Sequence, residues 1–452
     1  MIYVLIGLAK YINIFLIAIY TFYAFKVLGA LDKERQKRIY AVMISIVYGF
    51  HFVSYSILFI RTRNMKIPLL YGAQLVLISL CLILYQWIYK NISRLVLINM
   101  LFLLTVGYVM LTRLSFDKAM KQFIISGATL LISLVIPILI DKLNHLKIFG
   151  WGYGVLGIFL LSTVFIWGEE QYGATNWIRI KGFSVQPSEF VKIVFVFCIA
   201  GLLSKKKNFK HIAAVTALAA VHVLILVFEK DLGGALIYFV TYVVMLYVAT
   251  GNPFYFFAGL GSGCVASVIA YQVFYHVKVR VMAWNNPWAY IEKEGYQVSQ
   301  SLFAIGTGGW FGLGLTKGLP TSIPVVDSDF IFSAISEEMG GVFAVCMILI
   351  TLSCFLMFIL ISTKLEDEFY KLIALGLSIL YIFQIFLSVG GVTKFIPSTG
   401  VTLPLVSYGG SSILSSLIMF SVIQGLYIRG QDGGVKHGRR SKRKKAQRDI
   451  LN

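Results

Sequence analysis

The feature that most constrains this chain is an apolar run of span length that recurs along almost its whole sequence, broken by short polar stretches. A helix crosses the hydrocarbon layer with about 20 residues, and thirteen such segments can be placed, near 4–28, 40–60, 67–88, 95–115, 123–141, 148–168, 188–204, 211–228, 234–250, 254–275, 330–362, 370–391 and 410–429. That number excludes a monotopic anchor and makes lipid the solvent for most of the chain. The composition agrees: 58% of the residues are hydrophobic, 13% are charged and the mean hydropathy is +0.82, outside the range of water-soluble domains. The expected fold class is therefore an all-α polytopic membrane protein.

Lys and Arg number 40 against 20 Asp and Glu. In an apolar chain such an excess first marks the loops that stay in the cytoplasm, ahead of any nucleic-acid role. The segments DKERQKR near 35, KNISR near 92, DKLNHLK near 144, KKKNFK near 207 and TKLEDEFYK near 367 fall after every second span. With the polybasic tail VKHGRRSKRKK they are expected to face the cytoplasm, which sets the N-terminus outside. RTRNMK at 61–66 breaks the pattern once. The first apolar stretch lacks a basic leader and a small-residue cleavage site, so a retained span is expected. The five cysteines lie within apolar runs without CxxC spacing, which points to neither a disulfide framework nor a zinc site. No inverted repeat is visible. The tail from about 431 has no apolar periodicity and is expected to be disordered or to lie on anionic lipid.

Three connections on the outer side, 169–187, 276–329 and 392–409, carry most of the Gly, Pro, Trp and polar residues outside the spans, so any chemistry is expected there. Four places carry ionisable groups at or near membrane depth, where such groups persist by facing a cavity or one another. In QPSEFVK, Glu189 and Lys192 are three residues apart on one helical face, either a buried pair at a cavity rim or a first-turn carboxylate favoured by the helix dipole. In EKDLGG, Asp231 enters a helix beside two glycines, as an interfacial acid or a site residue. The long loop holds Lys278, Arg280, Gln297, Gln300 and Lys317, cations for a pyrophosphate and amides for sugar hydroxyls. In PVVDSDFIFSAISEEMGG, Asp327 and Asp329 stand just before an apolar helix, with Glu337 and Glu338 about two turns further on. A partly desolvated carboxylate at that point suits proton abstraction from a sugar hydroxyl, and two carboxylates two residues apart suit a divalent cation.

The strings NWIRIKGFSVQPSEFVK, DLGGALIY, GYQVSQSLFAIGTGGWFGLG, DSDFIFSAISEEMG and PSTGVTLPLVSYGGSS, in this order, resemble the SEDS family (shape, elongation, division and sporulation), which includes RodA-like and FtsW-like polymerases. The resemblance covers about residues 95–430. It implies a ten-helix core at 93–430 with about three accessory transmembrane helices at 1–92 and a basic cytoplasmic tail at 431–452. It further implies a peptidoglycan glycosyltransferase of the bacterial cell membrane that joins lipid II at the outer face and releases undecaprenyl pyrophosphate. A class B penicillin-binding protein is the implied transpeptidase partner. Asp329 is the implied catalytic residue. Glu189, Lys192, Asp231, Arg280, Gln297, Gln300, Lys394 and Ser407 are the expected substrate contacts, and Asp329 with Asp327 the expected ligands for Mg or Mn.

Four positions depart from the family pattern. Asn176 stands where an arginine is common, Asp327 where a histidine, Ser388 where an asparagine and Thr402 where a proline. Two rival readings stay open: a flippase for the same lipid-linked precursor, which needs access from both faces, and a non-catalytic scaffold for the transpeptidase. An ion channel is disfavoured, because neither a filter-like repeat nor rings of charge are present. Nucleic acid is not an expected partner.

Overall fold

A computed structural model of the protein describes residues 2–30, 32–143, 145–171, 174–180, 183–205 and 208–451, giving the backbone alone at 2–3, 170–171, 174, 180, 183 and 432–451. Of the segments singled out above, Asn144, Lys181, Gly182, Lys206, Lys207 and the side chains of the basic tail lie outside these residues.

The helices run α1 Ile2–Lys26, α2 Lys33–Thr62, α3 Lys66–Ile88, α4 Arg94–Leu114, α5 Phe116–Ser133, α6 Ile136–Lys142, α7 Gly150–Ser162 and α8 Val164–Trp167. Strands β1 Gly168–Gln171, β2 Ala174–Ile180 and β3 Phe183–Val185 follow. The chain continues with α9 Pro187–Leu203, α10 Phe209–Phe228, α11 Leu232–Thr250, α12 Pro253–Val273, α13 Tyr275–Asn285, α14 Tyr296–Gly308, α15 Ile331–Met339, α16 Gly341–Lys364, α17 Glu368–Val392 and α18 Gly410–Leu451. Among the described residues, 12 helical segments are long and apolar enough to cross a membrane, with α5 and α6 acting as one segment and α7 and α8 as another. The 17-residue α9, nearly all of it buried, sits between two of these and keeps the alternation.

From α4 onward ten crossings form the core, and α1 to α3 pack into it. Every residue of α4 from Leu95 to Thr112 is buried, which suits a helix that is apolar on all faces. Polar side chains fasten the layers: the Tyr20 hydroxyl donates to Asn99 Oδ1 at 2.8 Å, and Asn99 Nδ2 donates to Ser353 Oγ at 2.8 Å. A buried polar group in hydrocarbon needs such a partner, so these bonds fix which helix faces meet.

Three features differ from the sequence reading. The run read as one helix over 330–362 breaks at Gly340 (φ 94°), where a Cβ would strike the backbone of Gly312. Two glycine backbones pack together there, and only a residue without Cβ allows that approach. The connection 169–187 contains an antiparallel three-stranded sheet in the order β1-β2-β3, with Ile178 opposite both Gly168 and Val185. It is the one β element of an otherwise helical protein among the described residues. The tail, expected to be disordered or to lie on anionic lipid, continues α18 as helix to Leu451. A preceding span removes the nucleation cost, and its Arg, Lys, Gln and Ala residues are good helix formers.

The connections fall at two ends. At one end lie the sheet, the 229–231 turn, residues 274–330 and the loop 393–409; at the other lie the basic segments.

Candidate active site

The turn that precedes α15 is held in a strained shape. Val325 is left-handed (φ 53°), an outlier for a β-branched residue, and its carbonyl accepts from the Ser328 amide at 3.1 Å and the Ser328 hydroxyl at 3.3 Å. The final loop grips the turn from the other side: Tyr408 N donates to Asp327 O at 2.8 Å and Ser407 Oγ donates to Ser328 O at 2.5 Å. Asp329 is thereby fixed on the cavity side, half-buried. Gly400 (φ 74°) stands opposite, where a Cβ would lie 3.4 Å from Asp329 Oδ2 and 4.0 Å from Arg280 Nη2. The backbone thus approaches the acid closely while leaving room beside it.

Burial pushes the Asp329 carboxyl up to about 6; the Ser328 hydroxyl and Arg280 pull it down, and Asp327 adds repulsion. A carboxyl at that value is still mostly ionised at pH 7 and is a stronger base than an ordinary aspartate. Arg280, on α13, donates through Nη1 to Ser398 O at 3.2 Å, which anchors the guanidinium between α13 and the final loop. Burial lowers the Arg280 pKa, while Asp231 and Asp329 raise it.

These groups line a cavity of about 540 Å³ at the sheet-bearing end of the bundle. Its wall carries four cations, Lys192, Lys230, Arg280 and Lys293, together with Gln297, Trp177, Tyr238 and Tyr408. Lys230, like Val325, is left-handed (φ 62°).

Three more acids stand on the wall, Glu189, Asp231 and the exposed Glu294, and the first two are tied into hydrogen-bond networks. Lys192 Nζ donates to Glu189 Oε2 at 2.6 Å and to Gln384 Oε1 at 3.0 Å, and Ser415 Oγ donates to the same Glu189 oxygen at 2.7 Å. Gln384 Nε2 in turn donates to Thr402 O at 3.1 Å. This network ties α9, α17, α18 and the final loop together. Asp231 Oδ1 caps α11 by accepting from Gly234 N at 2.8 Å. Its Oδ2 accepts from Asn176 at 3.1 Å, Gln186 at 3.1 Å and Ser188 at 3.2 Å. Asn176, the departure in β2, thus spends its amide on Asp231. Nearby Glu229 is fully buried and pushed up to about 8 by burial and by Asp231, so it is protonated at pH 7 and adds no charge to the rim.

Of the residues expected in the site, the cavity gathers Asp329, Glu189, Lys192, Asp231, Arg280 and Gln297. Gln300, Lys394 and Ser407 are outside its wall. Gln300 lies on α14, past the rim. Lys394 presents its carbonyl to Trp284 Nε1 at 3.1 Å. Ser407 accepts from Leu403 N at 2.9 Å and holds Ser328, so it positions the Asp329 turn from behind. Glu337 and Glu338 serve the fold: Glu338 Oε1 accepts from Arg113 Nε at 3.0 Å and Gly318 N at 3.2 Å, and Glu337 Oε1 accepts from Leu319 N at 2.9 Å.

Asp327 does not join Asp329 in a two-carboxylate site. Its Oδ2 is 2.6 Å from Lys118 Nζ on α5, and Lys118 also lies 5.5 Å over the Tyr408 ring. Among the described residues no three His, Cys, Asp or Glu side chains gather as a cation cage. The residues present do not fit a protein-held Mg or Mn, and no step below passes through one. Sequence reasoning missed Lys118, because the α5 span was read from 123 when the helix opens at Phe116. An N-cap serine, Ser115, three residues before Lys118 was the available signal.

Fold and site together define a polytopic helical membrane protein with a cavity lined by acids and cations at one end of its bundle. A model of the FtsW, RodA and SpoVE family, described as cell cycle protein, matches residues 86–429, and the chain belongs to this family. It is 37% identical over 301 residues to the peptidoglycan glycosyltransferase RodA of Mycobacterium tuberculosis, covering 62% of this chain and 64% of that protein. The chain therefore spans just under two thirds of that relative's length. It is 34% identical over 278 residues to the probable peptidoglycan glycosyltransferase FtsW of Geobacter sp., covering 59% of this chain and 75% of that one. Among solved structures, a chain of a peptidoglycan synthase complex that coordinates polymerization and crosslinking aligns with a TM-score of 0.64 at 20% identity, over 75% of this chain and 98% of that one. RodA of Thermus thermophilus aligns with a TM-score of 0.55 at 22% identity, over 74% and 96%. At these identities the likeness is one of fold. Residues 1–85, which hold α1, α2 and most of α3, precede the family match.

Proposed function

We propose that this chain is a peptidoglycan glycosyltransferase that joins lipid II units into glycan strands at the outer face of the bacterial cell membrane, with Asp329 as general base. The observation that carries the reading is a carboxyl raised to about 6 by burial, set between Arg280 and Gly400 in a cavity whose wall also carries Lys192, Lys230 and Lys293. The names of the relatives support the same chemistry.

In the proposed reaction the 4-hydroxyl of the acceptor sugar gives its proton to Asp329 while its oxygen attacks the anomeric carbon of the lipid-linked donor. The bond from that carbon to the phosphate oxygen breaks, and the electron pair leaves with undecaprenyl pyrophosphate. Arg280, Lys230 and Lys293 balance the charge that builds on the departing oxygens, which is the larger share of such catalysis in a water-poor site. Gln297 offers amide bonds to the sugar. Glu189, Lys192 and Asp231 shape the wall through the networks that hold them and are assigned no proton transfer. The proposed partner is a class B penicillin-binding protein, in keeping with the coordination of polymerization and crosslinking described for the structural neighbour.

The test is glycan-strand formation from purified lipid II by the full chain, with and without that partner. Loss of polymer in Asp329→Ala with unchanged melting supports the reading. Wild-type polymer from that variant, or none from a folded wild type with its partner, removes it and returns the flippase and scaffold readings.

A further inference from the structure

The basic end of the bundle, opposite the catalytic cavity, holds a second built pocket. A cavity of about 130 Å³ opens between α2, α3 and α4, with Lys37, Tyr40, Gln86 and Arg94 among its lining residues. Below them the walls turn apolar, with Ile44, Leu82 and Ile98, and these three residues also border a small void of about 10 Å³ against Val47, Tyr48, Ile78 and Leu101. Cationic and hydroxylic groups thus sit over a short apolar slot.

Arg94 decides what the mouth would take. It is half-buried, makes no hydrogen bond or ion pair with any described residue, and shares the cavity wall with Tyr40. It is also the first residue of α4, so the helix dipole adds positive potential at the same point. Lys37 is 2.6 Å from Glu34, but both side chains are largely exposed, and such a pair is worth so little that an incoming anion can exchange for the carboxylate. Among the described residues no acid lines the cavity.

We infer that this pocket is a binding site for an anionic phospholipid of the leaflet opposite the catalytic cavity, its phosphate between Arg94 and Lys37 and an acyl chain in the slot along Ile44, Leu82 and Ile98. Charge complementarity selects the headgroup, since basic pockets between membrane helices at the cytoplasmic side recognise acidic lipid heads. The apolar floor selects a lipid over free phosphate. α2 and α3 supply one side of the site and the first core helix the other, so the accessory helices and the core would share a lipid across their seam.

The experiment uses the full chain in nanodiscs of phosphatidylcholine with a minor fraction of phosphatidylglycerol, reading lipid retained after mild detergent release by native mass spectrometry. Wild type is expected to retain phosphatidylglycerol in preference to phosphatidylcholine. Arg94→Gln and Lys37→Gln are each expected to reduce that preference about fivefold, the factor that one cation contributes to anionic-lipid attraction. Lys371→Gln, a basic residue on α17, controls for general charge. Ile44→Trp, which fills the slot and keeps both cations, is expected to abolish retention, and glycerol phosphate added in excess is expected not to compete. Equal retention by wild type, Arg94→Gln and Ile44→Trp overturns the proposal, as does competition by glycerol phosphate. Loss of retention in Lys371→Gln to the same degree as in Arg94→Gln also overturns it.

Discussion

Two regions of one cavity use carboxylates in opposite ways. At the openings of α9 and α11, Glu189 and Asp231 accept two and four hydrogen bonds, and Lys192 lies 2.6 Å from Glu189. In the turn before α15, Asp329 is held in place by its backbone neighbours, while its side chain faces the cavity with Arg280 nearby. The first arrangement stabilises charge by filling its lone pairs and so spends it on architecture. The second leaves a carboxylate under-solvated beside an open cavity, the setting that the proposed base needs. An acid at membrane depth is therefore not itself evidence of chemistry; how completely its bonds are filled decides.

Substitutions tell the two kinds of acid apart. The largest effect belongs to Asp329→Asn, which should reduce the initial rate of glycan formation about a thousandfold while leaving thermal unfolding in detergent near wild type. If the reverse held, with a folding defect and retained turnover, Asp329 would belong with the architectural acids. Lys192→Met should cost about 3–5 kcal/mol of stability by leaving Glu189 buried without its counter-ion, and adding Glu189→Gln should recover most of that. Recovery of nothing in the double variant would mean that packing rather than charge is at stake. Asp231→Ala should cost about 1–2 kcal/mol through the lost cap, and Asp231→Asn less, because the amide oxygen still accepts. Lys118→Met should cost at most about 1 kcal/mol. By leaving Asp327 uncompensated beside Asp329, it should also move the acid limb of the pH profile to higher pH, since a negative neighbour raises a carboxyl pKa. A limb that moves down or stays fixed would separate Lys118 from the site.

The spans were legible because each is an unbroken apolar run near the length the bilayer demands, and short basic loops marked one end of the bundle. The break at Gly340 was not: Glu337 and Glu338 precede it, but the approach of Gly312, 28 positions earlier, is what requires the interruption. The sheet at 168–185 was hidden in a connection by its short strands. Within the site, the spacing of Glu189 and Lys192 predicted their pairing, because helical neighbours meet through local geometry. Lys118 with Asp327, and Ser407 with Ser328, are set by how α5 and the final loop cross the turn, which spacing does not encode. Gln300, Lys394 and Ser407 were expected as substrate contacts for their chemistry, and the structure puts them behind or beside the wall.

The most direct test follows the initial rate of glycan formation from purified lipid II between about pH 5 and 8, using the full chain co-purified with a class B penicillin-binding protein. Wild type and Asp329→Asn are compared at matched thermal stability. A rate that climbs through a midpoint near 6 in wild type and stays at background in Asp329→Asn is the predicted result, because the carboxyl must lose its proton to act as base. An Asp329→Asn protein that polymerises at the wild-type rate across the same range would contradict it.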